Sequence, residues 1–572
     1  VSGYAQEKEP LLGIEKLRLK INPEYDPWSP EQVYERVAEH LASVEGFIIG
    51  SLNPQTSEQL EKARQTAIYE IGFIRYFSLA EVPRSQLPAA IASLLFTVES
   101  ASPSSMVTRL KPVSNTNNRL FWIDLRWLCW TPESFEKISL EDFYYREPLI
   151  PSESKALDFV RKRIGNGVIR GDWFTFYVGD TSQFLKVNEN KADNAFYYTL
   201  LYSTNPTEVE VEKKVIKDYK YESVNAVWPG GPDANGIYYP KGTPYSYWQK
   251  SPIYTTKKVK EKRSGGVPKN EDEFLQFWGI DNQRKSLQFQ SESGGVVDEG
   301  DSAVSWQNRI YVRRQALTGE FYRTYDVFVT AGDQDFLESL PVPPKKANAG
   351  ELIFQSVKGA QYYLLVDGKN NRIEFGDPRI VHDQVSGKPF VLVTWKSCVQ
   401  CHIDGIIAPK NEVPLMIKNG LDLRAKDPYQ AQQIKSFYLR QLTKKIKASQ
   451  EAYKDFILAV NGLTTEENAL QYKQHRSWYA GPVTLSQAAR EVGATPDEFS
   501  DAVSIGTKGR LGRLIMDGKA IPRTVWERGL FQEAFLLLIE YRKAVNVDRK
   551  QRGLPVVPTH SYRPPSTVKT KL

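Results

Sequence analysis

Cys398-Val399-Gln400-Cys401-His402 is the stretch whose reading decides what the C-terminal third of this chain folds around. Two thiols one helical turn apart can add across the two vinyl groups of a porphyrin. The histidine that follows then lies beneath the ring with an imidazole nitrogen on the iron, which is the C-x-x-C-H attachment signature of a c-type haem. With 3 Cys and 5 His among 572 residues, chance would produce such a run in about 1 of 7,000 chains of this composition. A structural zinc site needs four ligands, usually from a second Cys or His pair at short spacing. Here only Cys129 and the scattered His40, His382, His475 and His560 remain. A thioredoxin-like dithiol begins a helix after a strand. Phe390 to Trp395 reads as that strand, but Ile403 to Pro409 gives no sign of the helix. Haem is the reading that uses all three residues.

Working outward, the chain is much longer than a single haem domain requires, so three or four units or one core with insertions are expected. Hydrophobic residues make up 41% and aromatics 12%, enough for a packed interior with strand-rich parts. The charge of +7 comes from 75 basic and 68 acidic residues, a mixed surface that does not call for nucleic acid. No run of 18 apolar residues is present, so no transmembrane span is expected. Covalent haem is attached outside the cytoplasm, so the motif implies export to the periplasm or cell envelope. Gly3 and Ala5 in Val1-Ser2-Gly3-Tyr4-Ala5-Gln6 fit the end of a signal-cleavage region. The three cysteines build no disulfide framework, and Cys129 reads as a core thiol.

The expected class is α+β: an N-terminal helical region, a strand-rich middle and a helical C-terminal region with a cytochrome c-like haem site. Residues 1–28 read as an extended segment and 29–165 as a mainly helical domain. Within the latter, Ser29-Pro30 opens one helix. Thr56 with Gln59 opens a second, carried through Ile68, Ile71, Ile74 and Phe77, and a third spans Leu87 to Val98. Residues 166–395 read as strand-rich, with strands at Phe196–Tyr202, Tyr311–Arg314, Glu320–Val329, Leu352–Gln355 and Tyr362–Gly368. Residues 205–300, with Lys257, Lys258, Lys260 and Lys262 and Pro229-Gly230-Gly231-Pro232, read as a long exposed insertion suited to protein assembly. Residues 396–547 form the haem-bearing helical domain, with helices from Asp427 to Ala448 and Gln450 to Asn461. Residues 548–572 read as a disordered basic, proline-rich tail. The segment Thr484 to Phe499 scans like a helix-turn-helix, yet it lacks a basic recognition helix and fits any short helical hairpin.

Several segments together carry a resemblance: Asn118-Arg119-Leu120 through Asp124-Leu125, Tyr322-Arg323-Thr324-Tyr325-Asp326, Gln361-Tyr362-Tyr363-Leu364, Ser397 to His402 with Gly405, and Ala488-Ala489-Arg490-Glu491. On these the chain resembles a family of large exported c-type haem proteins of planctomycete-type bacteria. The resemblance spans about residues 60–540, implies haem and export, and supplies no substrate.

At the iron, Cys398 and Cys401 would carry the thioethers and His402 the proximal bond. The sixth position decides between electron transfer and an open catalytic or sensing site. Met416, 14 residues beyond His402, is the first distal candidate, followed by Met516, His475 and His382. Pro409 is expected to offer its carbonyl to the imidazole N–H. Trp395 would wall the haem from water, and Lys396 and Lys410 would face an acidic redox partner. One-electron transfer in the envelope is the expected function. The rivals are a haem enzyme or gas sensor with Arg323 or Tyr325 in its pocket, and an envelope scaffold with an auxiliary haem.

Overall fold

The computed structural model describes residues 30–102, 106–108, 110–128, 132, 135, 154–177, 231–232, 238–239, 270–277, 291–296, 308–316, 319–327, 347–373, 376, 397–408, 418, 428–429, 432, 442–505, 521–526 and 530–554. The chain is α+β. Helix α1 (Pro30–Ser51) and helix α2 (Ser57–Ile71) form a hairpin. Thr56 and Gln59 make the expected reciprocal cap at the start of α2. The second helix does not run on to Phe77: it ends at Ile71, and Ile74–Ser78 is strand β1, buried at every position. Residues spaced by three satisfy a helix, but here the sheet is covered on both faces, so a strand buries Ile74 and Phe77 as well.

Strands β2 (Lys111–Pro112), β3 (Leu120–Asp124) and β4 (Val168–Arg170) complete a sheet of order β2-β3-β1-β4, with β4 parallel to β1. Alternation sorts its side chains. Ile74, Tyr76, Leu120, Trp122 and Val168 pack with α1, α2 and helix α4 (Lys155–Ile164). Phe77, Phe121, Ile123 and Ile169 lie in the same core as helix α3 (Leu87–Ala101), which is buried nearly all round. Helix α5 (Gly171–Tyr177) follows β4 and packs on α3.

Strands β5 (Gly231–Pro232) and β6 (Tyr238–Tyr239) form a small ribbon. Helix α6 (Glu271–Phe277) and strand β7 (Ser291–Val296) correct the expectation that 205–300 is wholly an exposed insertion. Phe274 and Leu275 of α6 lie in the core, and β7 is the edge of the second sheet. That sheet continues as an antiparallel meander through β8 (Asn308–Ala316), β9 (Gly319–Val327), β10 (Ala349–Ser356), β11 (Gln361–Asp367) and β12 (Arg372–Ile373). The strand expected at Phe196–Tyr202 lies outside the described residues.

A single turn of helix, α7 (Cys398–Cys401), precedes helix α8 (Leu442–Asn461), which is continuous where a break near Ser449 was expected. Helices α9 (Thr465–Tyr479), α10 (Leu485–Glu491), α11 (Pro496–Ile505) and α12 (Phe531–Gln551) follow, with one short turn of helix at Arg523–Val525 before α12. α12 reaches four residues into the stretch expected as a disordered tail, where Asp548 pairs with Arg552 at 3.0 Å and Arg549 and Lys550 oppose the helix dipole. One contiguous core holds Phe77, Leu94, Leu364, Cys398, Ile406, Phe456, Ala489, Trp526 and Leu538, so distant parts of the chain share a single interior. Among the described residues no helix is long and apolar enough to cross a membrane.

Buried polar groups hold the parts together. Arg119 Nη1 donates to the carbonyls of Leu79, Ala80 and Val82 at 3.1, 3.1 and 2.8 Å. Lys358, in the β10–β11 turn, donates to Glu99 O of α3 at 2.7 Å, and Tyr362 Oη to Ser102 O at 2.7 Å. Glu491 of α10 receives Arg523 Nη1 at 2.8 Å and Trp526 Nε1 at 2.6 Å and lies 3.4 Å from Arg170, which also pairs with Asp172 at 2.8 Å.

Candidate haem site

The Cys398–Cys401 turn is closed by Cys401 N–H on Ser397 O at 3.1 Å and His402 N–H on Cys398 O at 2.8 Å. No disulfide joins the two cysteines; Cys398 is 1% exposed and Cys401 is partly exposed. His402 is buried, and its Nδ1 lies 3.1 Å from Gly405 O. A carbonyl only accepts, so Nδ1 carries the hydrogen and, in the neutral ring, Nε2 keeps the lone pair. The acceptor is thus Gly405; Pro409, expected in that role, lies outside the described residues. Gly405 reaches this position with φ +90°, and a Cβ there would lie 3.1 Å from Tyr453 Cβ and 3.2 Å from Gln361 Nε2, so both conformation and space call for glycine.

The sheet forms the other wall. On β10, Glu351 and Gln355 share a face by alternation, and Gln361 and Tyr363 occupy the matching face of β11. The Tyr363 ring lies 5.5 Å from the imidazole. Its hydroxyl donates to Gln361 Oε1 at 2.7 Å, Gln361 to Gln355 at 2.8 Å, and Gln355 to Ser449 O of α8 at 2.7 Å. Burial pushes the Tyr363 phenol well above its ordinary pKa, so it stays a donor. Glu351 Oε1 lies 3.6 Å from His402 Nε2, and the carboxylate also takes a hydrogen bond from the Cys398 thiol. Burial pushes the Glu351 carboxyl upward, but His402, Arg309 and that thiol outweigh it and hold it below the usual range. From α8, Gln450 Nε2 donates to Ile406 O at 2.8 Å, and from α9, Thr465 Oγ1 donates to Asp404 at 2.6 Å.

The donor types are those a covalent haem would use, two thiols on one turn and an imidazole whose Nδ1 is committed to a carbonyl, while Nε2 faces Glu351 at 3.6 Å. Among the described residues no group of three or more His, Cys, Asp and Glu side chains is arranged to hold a bare metal ion. Sequence reasoning passed over Glu351 and the Gln355–Gln361–Tyr363 row. Their even spacing on two paired strands was a readable sign, because polar side chains on a covered sheet face need partners.

Of the distal candidates, Met416, Met516 and His382 lie outside the described residues, as do Trp395, Lys396 and Lys410. His475 stacks on Trp478 at 5.8 Å and is fully buried. It stands ten residues along α9 from Thr465, about 15 Å of helix. Arg323 is engaged by Glu271 at 2.9 Å and Asn370 at 3.0 Å and lies 4.3 Å from the Tyr325 ring.

Burial lowers the His475 pKa to about 4, against a weaker opposing pull from Asp172. The folded value lies below the unfolded one, so the unfolded chain takes the proton first. This contribution to stability is complete above about pH 6.5 and is lost toward pH 4, by roughly 1.4 kcal/mol per pH unit. His40, also lowered to about 4 by burial, acts in the same direction. Urea midpoints should therefore fall between pH 7 and 5, and His475→Gln should flatten that slope; an unchanged slope would contradict the assignment. Set beside known proteins, the chain matches no family model, no curated protein sequence and no solved structure.

Proposed function

We propose that this chain is an exported c-type cytochrome that carries one covalent haem and transfers single electrons in the cell envelope. The observation that carries the reading is the hydrogen bond from His402 Nδ1 to Gly405 O, which leaves Nε2 as the ligating atom on a turn bearing two thiols. Cys398 and Cys401 would each add S–H across a haem vinyl group, with no leaving group, and His402 would hold the iron. When bound, the haem supplies a one-electron ferric/ferrous couple. The chain's own residues orient it. The Gly405 carbonyl fixes the imidazole tautomer and makes the ring a better donor, and Tyr363 and Cys398 keep water from the inner side. Ile407 is 43% exposed and Ala408 is open beside the partly exposed Cys401, a face suited to an envelope redox partner. The likeness to planctomycete-type exported C-x-x-C-H proteins points the same way.

Matured in a periplasm with haem-attachment machinery, the wild-type chain is expected to retain haem through a denaturing gel. Cys398→Ser/Cys401→Ser should lose it completely. A wild-type chain without covalent haem under those conditions would overturn the reading.

A further inference from the structure

The donor types around Cys398 suit a haem, but the space does not. A metal bound to His402 Nε2 stands about 2 Å from the nitrogen. A wall that supplies no ligand then lies about 3.5–4 Å beyond the porphyrin plate, so Nε2 needs about 5.5–6 Å of clear depth. Glu351 Oε1 faces it at 3.6 Å, and the Tyr363 ring centre lies 5.5 Å from that of the imidazole. The same carboxylate also takes the hydrogen bond of the Cys398 thiol. We propose that Glu351 is an internal stop, which shuts the Cys398–His402 turn against β10 so that this fold admits no porphyrin. The proposal rests on the haem reading above and adds a condition to it: turn and strand must part by about 2 Å.

The strand is the fixed side. Glu351 lies within β10, which is paired with β9 on one edge and with β11 on the other, where Leu365 stands opposite. Its N–H donates to Thr324 Oγ1 at 2.8 Å. The adjacent Gly350 is packed so closely that a Cβ would overlap the Thr324 carbonyl and the Arg323 guanidinium. A carboxylate on such a strand keeps its place.

The turn is tied more firmly to the helices than to this carboxylate. Gln450 of α8 donates to Ile406 O at 2.8 Å, and Thr465 of α9 donates to Asp404 at 2.6 Å. Toward Glu351 it offers the 3.6 Å contact of His402 and a hydrogen bond from a thiol, a weak donor. Separation at Glu351 is therefore cheaper than unpairing β10. While the turn is shut, one thiol is sealed and the other is in reach: Cys398 is 1% exposed and Cys401 is partly exposed. Thiol reactivity thus reports on the stop with no haem in the experiment.

The test uses full-length chain produced without haem-attachment machinery, wild type beside Glu351→Ala and Glu351→Gln. Alkylation of each cysteine by iodoacetamide is followed under native conditions by site-resolved mass spectrometry. In the wild type, Cys398 should react about 100-fold or more slowly than Cys401. Glu351→Ala should speed Cys398 by about tenfold or more and leave Cys401 unchanged. Glu351→Gln keeps the bulk without the charge and should speed it far less, which separates a steric stop from an electrostatic effect on the thiol. On titration with ferric haem, folded wild type should show no His402-dependent Soret shift, and Glu351→Ala should show one. Equal Cys398 rates in wild type and Glu351→Ala would overturn the stop. So would prompt binding of haem on His402 by folded wild type, a result that decides the matter even where Glu351→Ala fails to fold. A matured wild-type chain without covalent haem sinks the haem reading, whereas the thiol rates speak for the stop alone, so the two failures are told apart.

Discussion

Glu491→Ala is expected to cost about 3–5 kcal/mol, the largest single-residue loss of stability in this fold. The side chain is 1% exposed and receives Arg523 and Trp526, with Arg170 at 3.4 Å. Arg170 is 1% and Arg523 4% exposed, so removing the carboxylate takes one anion from two buried guanidiniums, whose other partners include Asp172 and the Tyr479 carbonyl. Removing a buried partner from a charge cluster is far more costly than losing a surface contact. Glu491→Gln keeps the shape and an acceptor for Trp526 and should cost less. Glu540, paired with Lys543 at 2.8 Å on the exposed face of α12, serves as the control, and Glu540→Ala should leave the denaturation midpoint unchanged. If Glu491→Ala proved equally silent, the charge cluster would not be what joins α10 to β4 and α5.

Gly405→Ala is expected to destabilise by about 2–4 kcal/mol and to cut covalent haem yield as well. Two effects add. At φ +90° an alanine is strained by about 1–2 kcal/mol, and its methyl group would press on Tyr453 and Gln361. Relief by rotating the peptide would withdraw the carbonyl from His402 Nδ1. Gly553, at φ +67° with open space around it, isolates the first effect, so Gly553→Ala should show only the conformational strain. Equal losses at both positions would mean that the wall formed by Tyr453 and Gln361 yields easily.

The Cys398–His402 turn was legible in the sequence because its motif sets fixed residue types at fixed spacing. The α2 cap and the meander strands at 308–327 and 349–367 were legible for the same reason, since local chemistry and alternation leave few choices. Strand β1 was hidden because Ile68, Ile71, Ile74 and Phe77 read as one helical stripe, and only the chain reversal after Gly72 separates them. The polar residues of the resembling segments had no visible role, for their partners are remote. Arg119 reaches carbonyls 37–40 positions away, Arg323 pairs 52 positions back and Glu491 pairs 35 positions ahead. Glu351 was illegible for a different reason. A single glutamate in a strand is ordinary until the turn that carries His402 folds against it.

The walls around the Cys398–His402 turn differ in the time at which they exist. Strands β10 and β11 precede Cys398, whereas Gln450 and Thr465 follow their partners Ile406 and Asp404 by 44 and 61 positions. A chain that emerges N-terminus first leaves the turn backed by the sheet but open on its helical side until Thr465 arrives. The thiol of Cys398, sealed to 1% in the finished fold, is most accessible to modifying enzymes in that interval, so a delay in the arrival of α8 and α9 lengthens the period of access without altering the final structure.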